Sequence, residues 1–116
     1  MDRKELDSRL DKMFYPASVA VVGASDVPVK WGNLILTSIL GWSFSGTVFP
    51  VNPKKDTILG LPAYPSLRDI PAEVDLAVFA VPAQLILEGL RDCGAKGITA
   101  AVIISSGFRE IGAEGA

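Results

Sequence analysis

Histidine is absent from all 116 residues, which excludes imidazole acid–base catalysis, phosphohistidine and His–metal ligation within them. There is one cysteine, Cys93, so no disulfide framework is possible, and the chain fits a reducing cytoplasm. Cys93 falls on an apolar helical stripe, whereas reactive thiols need an electropositive, accessible setting. It is expected in the core. No charge of one sign dominates: 11 Lys and Arg face 13 Asp and Glu, for a net charge of −2. That leaves no broad field for nucleic acid or for an anionic membrane surface. No apolar run reaches the roughly 18–20 residues of a membrane span. The charged start, Met1-Asp-Arg-Lys-Glu-Leu-Asp, lacks the apolar region of a secretory signal. Asp26, Asp69, Asp75, Glu88 and Glu110 form no catalytic pair, so neither catalytic residues nor a metal set is expected.

What is present is a succession of short apolar runs. An apolar fraction of 49% and 116 residues support one domain with one core. Residues 4–14 place Leu6, Leu10, Met13 and Phe14 at helical spacing, and Pro16 ends that helix. Residues 18–23 are continuously apolar and β-branched, as in a parallel strand covered on both faces. A helix is expected over Gly32–Leu40, stopping at Gly41, and a second strand over 46–51. The stretch 52–72, rich in Pro, Gly and charge, reads as loop, with a short strand near 62–64 and one helical turn at Ser66–Ile70. Residues 75–81 form another apolar strand. Pro82 is placed as the first residue of a helix carrying Ala83, Ile86, Leu87, Leu90 and Cys93, with Gly94 as its cap. A last strand is expected over 100–104. The order predicts an α/β fold: a Rossmann-like, doubly wound parallel sheet with helices on both faces. The strand at 100–104 would lie at an open edge. The expectation is a single domain over 1–116 that lacks its last helix and strand, a fragment of a longer chain able to self-associate.

Two segments carry the functional signal. Ser18–Asp26 is a buried strand running into the turn Gly23-Ala24-Ser25. Val48–Lys55 is a second strand ending in Asn and two lysines. Nucleotide-binding α/β folds place a phosphate at the first turn and the adenosine ribose at the end of the second strand. NAD enzymes carry a carboxylate at that second place. Lys54 and Lys55 suit a phosphorylated ribose instead, and coenzyme A carries such a phosphate on its 3′-oxygen. The first turn departs from G-x-G-x-x-G, with Ser25 and Pro28 where glycines belong and Gly32 further on. It still aims a helix N-terminus above the sheet, with Ser25 as a hydroxyl and Lys30 as a cation, a setting for an anion. Val81 and Pro82 leave the next strand as an apolar wall for an adenine. Ser105, Ser106 and Gly107 leave the last strand and would hold a pantetheine amide or thiol end. Trp31 is a candidate to cover a ligand, and Trp42 to pack. An NADP-binding oxidoreductase domain is the alternative, since a 2′-phosphate also suits two lysines.

Taken in order, "SVAVVGAS", Lys30 and Gly32, "GTVFPVNPK", "GLPAYPSLRDIPAEVDLAVFAVPA" and "GAKGITAAVIISSGFREIGAEG" resemble the N-terminal CoA-binding domain of NDP-forming acyl-CoA synthetases, relatives of the succinyl-CoA synthetase α subunit. The resemblance covers the chain from about residue 8. It implies that Gly23, Ala24, Ser25, Lys30 and Gly32 lie by the CoA phosphates. Val51, Asn52, Pro53 and Lys54 would surround the adenosine end, Val81 and Pro82 would flank the nucleotide, and Ser105 to Gly107 would approach the pantetheine arm. Complete members convert acyl-CoA, NDP and phosphate into acid, CoA and NTP through a phosphohistidine. This chain has no histidine, so the implied function is a CoA or acyl-CoA binding module, inactive alone, with downstream ligase and ATP-grasp domains as partners. A CoA-sensing regulatory domain of a protein acetyltransferase is the other parent that the resemblance leaves open.

Overall fold

A computed structural model describes residues 2–41 and 44–104. Helix α1 (Arg3–Phe14) opens the chain. Asp2 caps it by accepting the Glu5 N–H at 2.8 Å, and Glu5 pairs with Arg9 one turn later at 3.0 Å. Strand β1 (Ser18–Val22), helix α2 (Trp31–Gly41) and strand β2 (Thr47–Val51) follow. Strands β3 (Thr57–Ile58) and β4 (Leu61–Pro62) make a small antiparallel hairpin. A 3-10 turn at Leu67–Asp69 leads to β5 (Leu76–Phe79). Helix α3 (Ile86–Lys96) and β6 (Ala101–Ile103) complete the described elements.

The main sheet has the order β2-β1-β5-β6, and every pairing is parallel. This is the expected Rossmann-like parallel sheet. The connection from β1 to β2 runs one way across it, and the connections that follow β5 run the other way. Right-handed crossovers therefore put α2 and α3 on opposite faces. The strand residues sort by parity, as a pleated sheet requires. Ala20, Val51, Ala77 and Phe79 pack with Leu67, Ile70, Ile86 and Cys93 under α3. Val19, Val21, Leu76 and Val78 pack with Leu36 and Ile58 under α2. Both faces being covered explains the unbroken apolar runs that mark the strands in sequence.

Four details differ from the sequence expectations. The loop after β2 contains the β3–β4 hairpin, turned by Leu59 and Gly60, both at positive φ (51° and 79°). The short strand expected near 62–64 falls at Leu61–Pro62 as β4, and beyond it Tyr64 makes a single parallel bridge to Val51, which covers the outer edge of β2. Pro82 does not begin an α-helix. It precedes a 3-10 turn at Ala83–Leu85, and the α-helical ladder starts at Ile86. The cap of α3 is Gly97, at φ 82°, and not Gly94, which lies inside the helix; the N–H groups of Gly97 and Ile98 return to the Cys93 carbonyl. Strand β6 lies at the edge of the described sheet, with Val102 and Ile103 exposed.

Candidate crevice at the strand ends

Strand order reverses at β1, and in open α/β sheets that point, at the carboxyl ends of the strands, is where ligands bind. The chain builds this place from three strand exits. After Val22 the backbone turns at Gly23, whose φ of +89° only glycine adopts without strain. A Cβ at Gly23 would sit 2.3 Å from the Ala80 carbonyl oxygen and 2.8 Å from a Val81 methyl carbon, so the β1 and β5 exits touch here. A Cβ at Gly32 would sit 1.8 Å from the Gly23 carbonyl oxygen, which brings the first turn of α2 directly onto the β1 exit. The third exit, after β2, is tied in by Asn52. Its Nδ2 donates to the Ala24 carbonyl at 2.9 Å, and its Oδ1 accepts the Lys54 N–H at 2.8 Å. The Gly23 N–H donates to the Val51 carbonyl at 3.0 Å. The Val27 and Lys30 N–H groups of the following turn are bonded within it, and those of Asn33 and Leu34 return to the Lys30 carbonyl, which leaves the Trp31 and Gly32 N–H groups at the start of α2 for an anion.

A cavity of about 260 Å³ opens between these exits and α3. Val22, Gly23, Val51, Pro53 and Val81 supply its sheet side, Pro65 to Leu67 one end, and Leu85, Glu88, Gly89 and Asp92 the helix side. Of the expected site residues, Gly23, Val51, Pro53 and Val81 thus share one wall. Lys30 and Lys54 are exposed on the loops that follow β1 and β2, outside the cavity lining, and neither forms an ion pair among the described residues. Lys55 differs: its Nζ lies 3.5 Å from Asp26, a tie between the second loop and the first turn. Of the two lysines, Lys54 is the one with an uncommitted ammonium.

Other candidates turn out to build the framework. Ala24 is fully buried, and Ser25 nearly so. The Ser25 hydroxyl accepts the Val27 N–H at 3.0 Å, and its carbonyl accepts Asn33 Nδ2 at 3.1 Å. Gly32 serves close packing and Asn52 loop clamping. Pro82 is exposed and does not line the cavity. Ser105, Ser106, Gly107 and Trp42 lie outside the described residues. Trp31 faces a different recess, an apolar groove of about 600 Å³ beside α2, β5 and β6, so it does not cover the crevice. Cys93 is buried under α3, and burial, reinforced by the Asp92 carboxylate, pushes its thiol up to about 11. It is a core residue, as expected.

The helix side of the cavity was missed in sequence. Glu88 enters there only as a carboxylate without a catalytic partner, and Gly89 and Asp92 do not enter at all. One signal was available: glycine at 89 in the middle of a helix, where it costs about 1 kcal/mol relative to alanine unless packing requires it. Packing does require it, since a Cβ would lie 2.2 Å from a Phe79 ring carbon.

A parallel sheet wound in both directions, with a crevice at its switch point, a close glycine turn and lysines on the adjoining loops, defines a nucleotide-binding α/β domain. The particular kind follows from its relatives. The chain matches the family described as "CoA binding domain" over residues 17–114, and it belongs to that family. It is 50% identical over 107 residues to acetate–CoA ligase [ADP-forming] I of Archaeoglobus fulgidus, covering 92% of this chain and 15% of the relative. With acetate–CoA ligase [ADP-forming] II of that organism it shares 48% identity, over 99% of this chain and 18% of the other. The solved dinucleotide-forming acetyl-coenzyme A synthetase 1 of Ca. Korarchaeum cryptofilum, in complex with phosphate and ADP, superimposes with a TM-score of 0.83 at 45% identity, over 91% of this chain and 23% of that one. The chain spans less than a quarter of the length of these relatives. It is a CoA-binding domain of the type found in NDP-forming acyl-CoA synthetases. Neither an NADP oxidoreductase domain nor an acetyltransferase regulatory domain is favoured.

Proposed function

We propose that this domain serves as the CoA-binding part of an NDP-forming, most simply ADP-forming, acyl-CoA synthetase that works in the cytoplasm, and that it performs no turnover by itself. The observation that carries this is the pairing of an apolar cavity at the strand ends with uncommitted lysines on the adjoining loops. An uncharged base fits the first, and phosphates fit the second. Lys54 takes the ribose 3′-phosphate, where a charge-assisted contact is stronger than a neutral one. The first turn of α2, with Lys30, receives the diphosphate, since a helix N-terminus favours an anion. Gly23 keeps that turn low enough for the diphosphate to approach. Asn52, Ser25 and Asn33 hold the turns in place. Val81 and Pro53 flank the base, and Ser105, Ser106 and Gly107 approach the pantetheine arm.

The acyl and phosphoryl chemistry belongs to partners. ADP-forming acetate–CoA ligases of about six times this length contain a segment like this one, and the sequence itself carries no histidine to phosphorylate. Ligase and ATP-grasp domains are the partners this reading requires, in one longer chain or on another subunit. They would cover the exposed flank of β6 and the groove beside α2. Self-association through that flank is the alternative for the isolated domain. The test is calorimetric titration with CoA and with NADP, alongside an assay for ATP formed from acetyl-CoA, ADP and phosphate. CoA binding without turnover supports the proposal. Tighter binding of NADP than of CoA, or ATP above a protein-free control, overturns it.

A further inference from the structure

We infer that Glu88 selects the base of the bound nucleotide by accepting the exocyclic amine at position 6 of an adenine seated in the cavity. This rests on the CoA-binding reading above and adds the source of its base specificity. The cavity is chemically one-sided. Its walls are apolar (Val22, Val51, Pro53, Leu67, Val81 and Leu85), and the ionisable side chains that reach it, Glu88 and Asp92, are both acidic. The exposed ammonium groups of Lys30 and Lys54 lie outside it, on the loops that leave β1 and β2, so the phosphates are assigned to those loops and the uncharged ring to the cavity. The ligand therefore enters with its uncharged ring first.

The two carboxylates are one helical turn apart on the same flank of α3, but they are not equivalent. Asp92 is held: its Oδ1 accepts Arg68 Nε at 2.7 Å, and its side chain is only 18% exposed. Glu88 has no hydrogen bond or ion pair among the described residues. Across Ser66 it also borders a polar recess that Arg68 and Arg91 share, so cations stand near it without engaging it. Gly89, pressed onto Phe79, fixes how closely this flank of α3 lies over the strand ends. The result is an uncommitted acceptor at the edge of an apolar slot. Adenine presents an N–H donor at position 6, whereas guanine and hypoxanthine present a carbonyl oxygen there. A carboxylate accepts from the first and repels the second, which gives attraction and rejection in one group.

Adenosine 3′,5′-bisphosphate and inosine 3′,5′-bisphosphate carry identical phosphates and differ in the base at position 6, an amine against a carbonyl, and at the adjoining N1, an acceptor against an N–H. They are titrated, together with CoA, into the wild-type domain and into Glu88→Gln. The wild type is expected to prefer the adenosine ligand by about tenfold or more, the loss that follows when a charged partner is left unpaired. In Glu88→Gln the side-chain amide can donate to the inosine oxygen. Inosine binding should then improve while adenosine binding weakens, bringing the two within about threefold. A gain for inosine is not something general damage to the fold would produce. CoA binding without a base preference in the wild type overturns the role of Glu88 and leaves the CoA reading standing. An equal loss for both ligands in the variant, or an unchanged preference, also overturns it. Failure of CoA and both bisphosphates to bind the wild type overturns both proposals.

Discussion

Replacing Gly32 by alanine is the sharpest test of how the crevice is built. The new Cβ would lie 1.8 Å from the Gly23 carbonyl oxygen, 2.8 Å from its carbonyl carbon and 3.1 Å from the Ala24 Cα. All three are backbone atoms of a turn that is itself pinned, because the Gly23 N–H donates to Val51 at 3.0 Å and the Ala24 carbonyl accepts from Asn52 at 2.9 Å. No side-chain rotation relieves the overlap, so the start of α2 must withdraw by roughly 1.5 Å, at a cost near the upper end of the ~1–3 kcal/mol typical of overpacking. Alanine in place of glycine in a helix returns about 0.5–1 kcal/mol. The net is a destabilisation of ~2 kcal/mol, which in a domain of this size lowers Tm by roughly 8 °C. The same withdrawal lengthens the Asn33–Ser25 bond of 3.1 Å and moves the N-terminal donors of α2 away from the phosphate position, so CoA affinity falls with stability. Gly94→Ala is the control. It lies inside α3 with nothing within 4 Å of its new Cβ, so the same chemical change should raise Tm by a few degrees through helix propensity alone. Melting curves and CoA titrations of the two variants decide the matter. A Gly32→Ala protein that melts within about 1 °C of wild type and binds CoA normally would refute the close approach on which this account depends.

Two other outcomes follow from the same geometry. Lys54→Ala should weaken binding of CoA by about tenfold or more while changing dephospho-CoA little, since a charge-assisted contact contributes on the order of 1.5–3 kcal/mol; equal losses measured by titration would mean that the lysine does not read the 3′-phosphate. Cys93 should resist alkylation at pH 8 in the native domain and react once the chain is unfolded, because burial raises its thiol to about 11 and suppresses the thiolate. As its folded pKa lies above the ordinary thiol value of 9.0, the thiol's contribution to stability is complete below pH 9 and is lost as pH rises towards 11; intact-mass labelling with iodoacetamide and alkaline melting curves check both halves.

Much of the fold was legible in the chain. Residues 19–22, Leu76–Phe79 and Ala101–Ile103 are apolar without alternation, and that pattern needs cover on both faces, hence parallel strands with helices between them. The ligand class was legible too, through the ordered motifs that carry the family resemblance; Lys54 and Lys55 alone suit the 2′-phosphate of NADP as well as the 3′-phosphate of CoA. Other features belong to tertiary structure alone. The β3–β4 hairpin turns on Leu59 at φ 51°, a conformation that leucine does not advertise. Gly94 and Gly97 are equivalent as candidate caps until the chain leaving α3 must turn into β6 at one of them. Ser25 reads as a hydroxyl for an anion, and the family resemblance puts Gly32 by the phosphates and Asn52 at the adenosine end; folding also sets all three against other turns, where their polar atoms or their lack of a side chain hold the backbone. Glu88 and Asp92 carry no signal in the sequence, and they reach the crevice because α3 packs on the end of β5, with Gly89 against Phe79. Local pattern determines which elements form, since backbone preference and burial act over a few residues. Which side chains meet at the crevice depends on how closely distant elements approach, and here that distance is set by Gly23, Gly32 and Gly89, where the fold has room for no side chain at all.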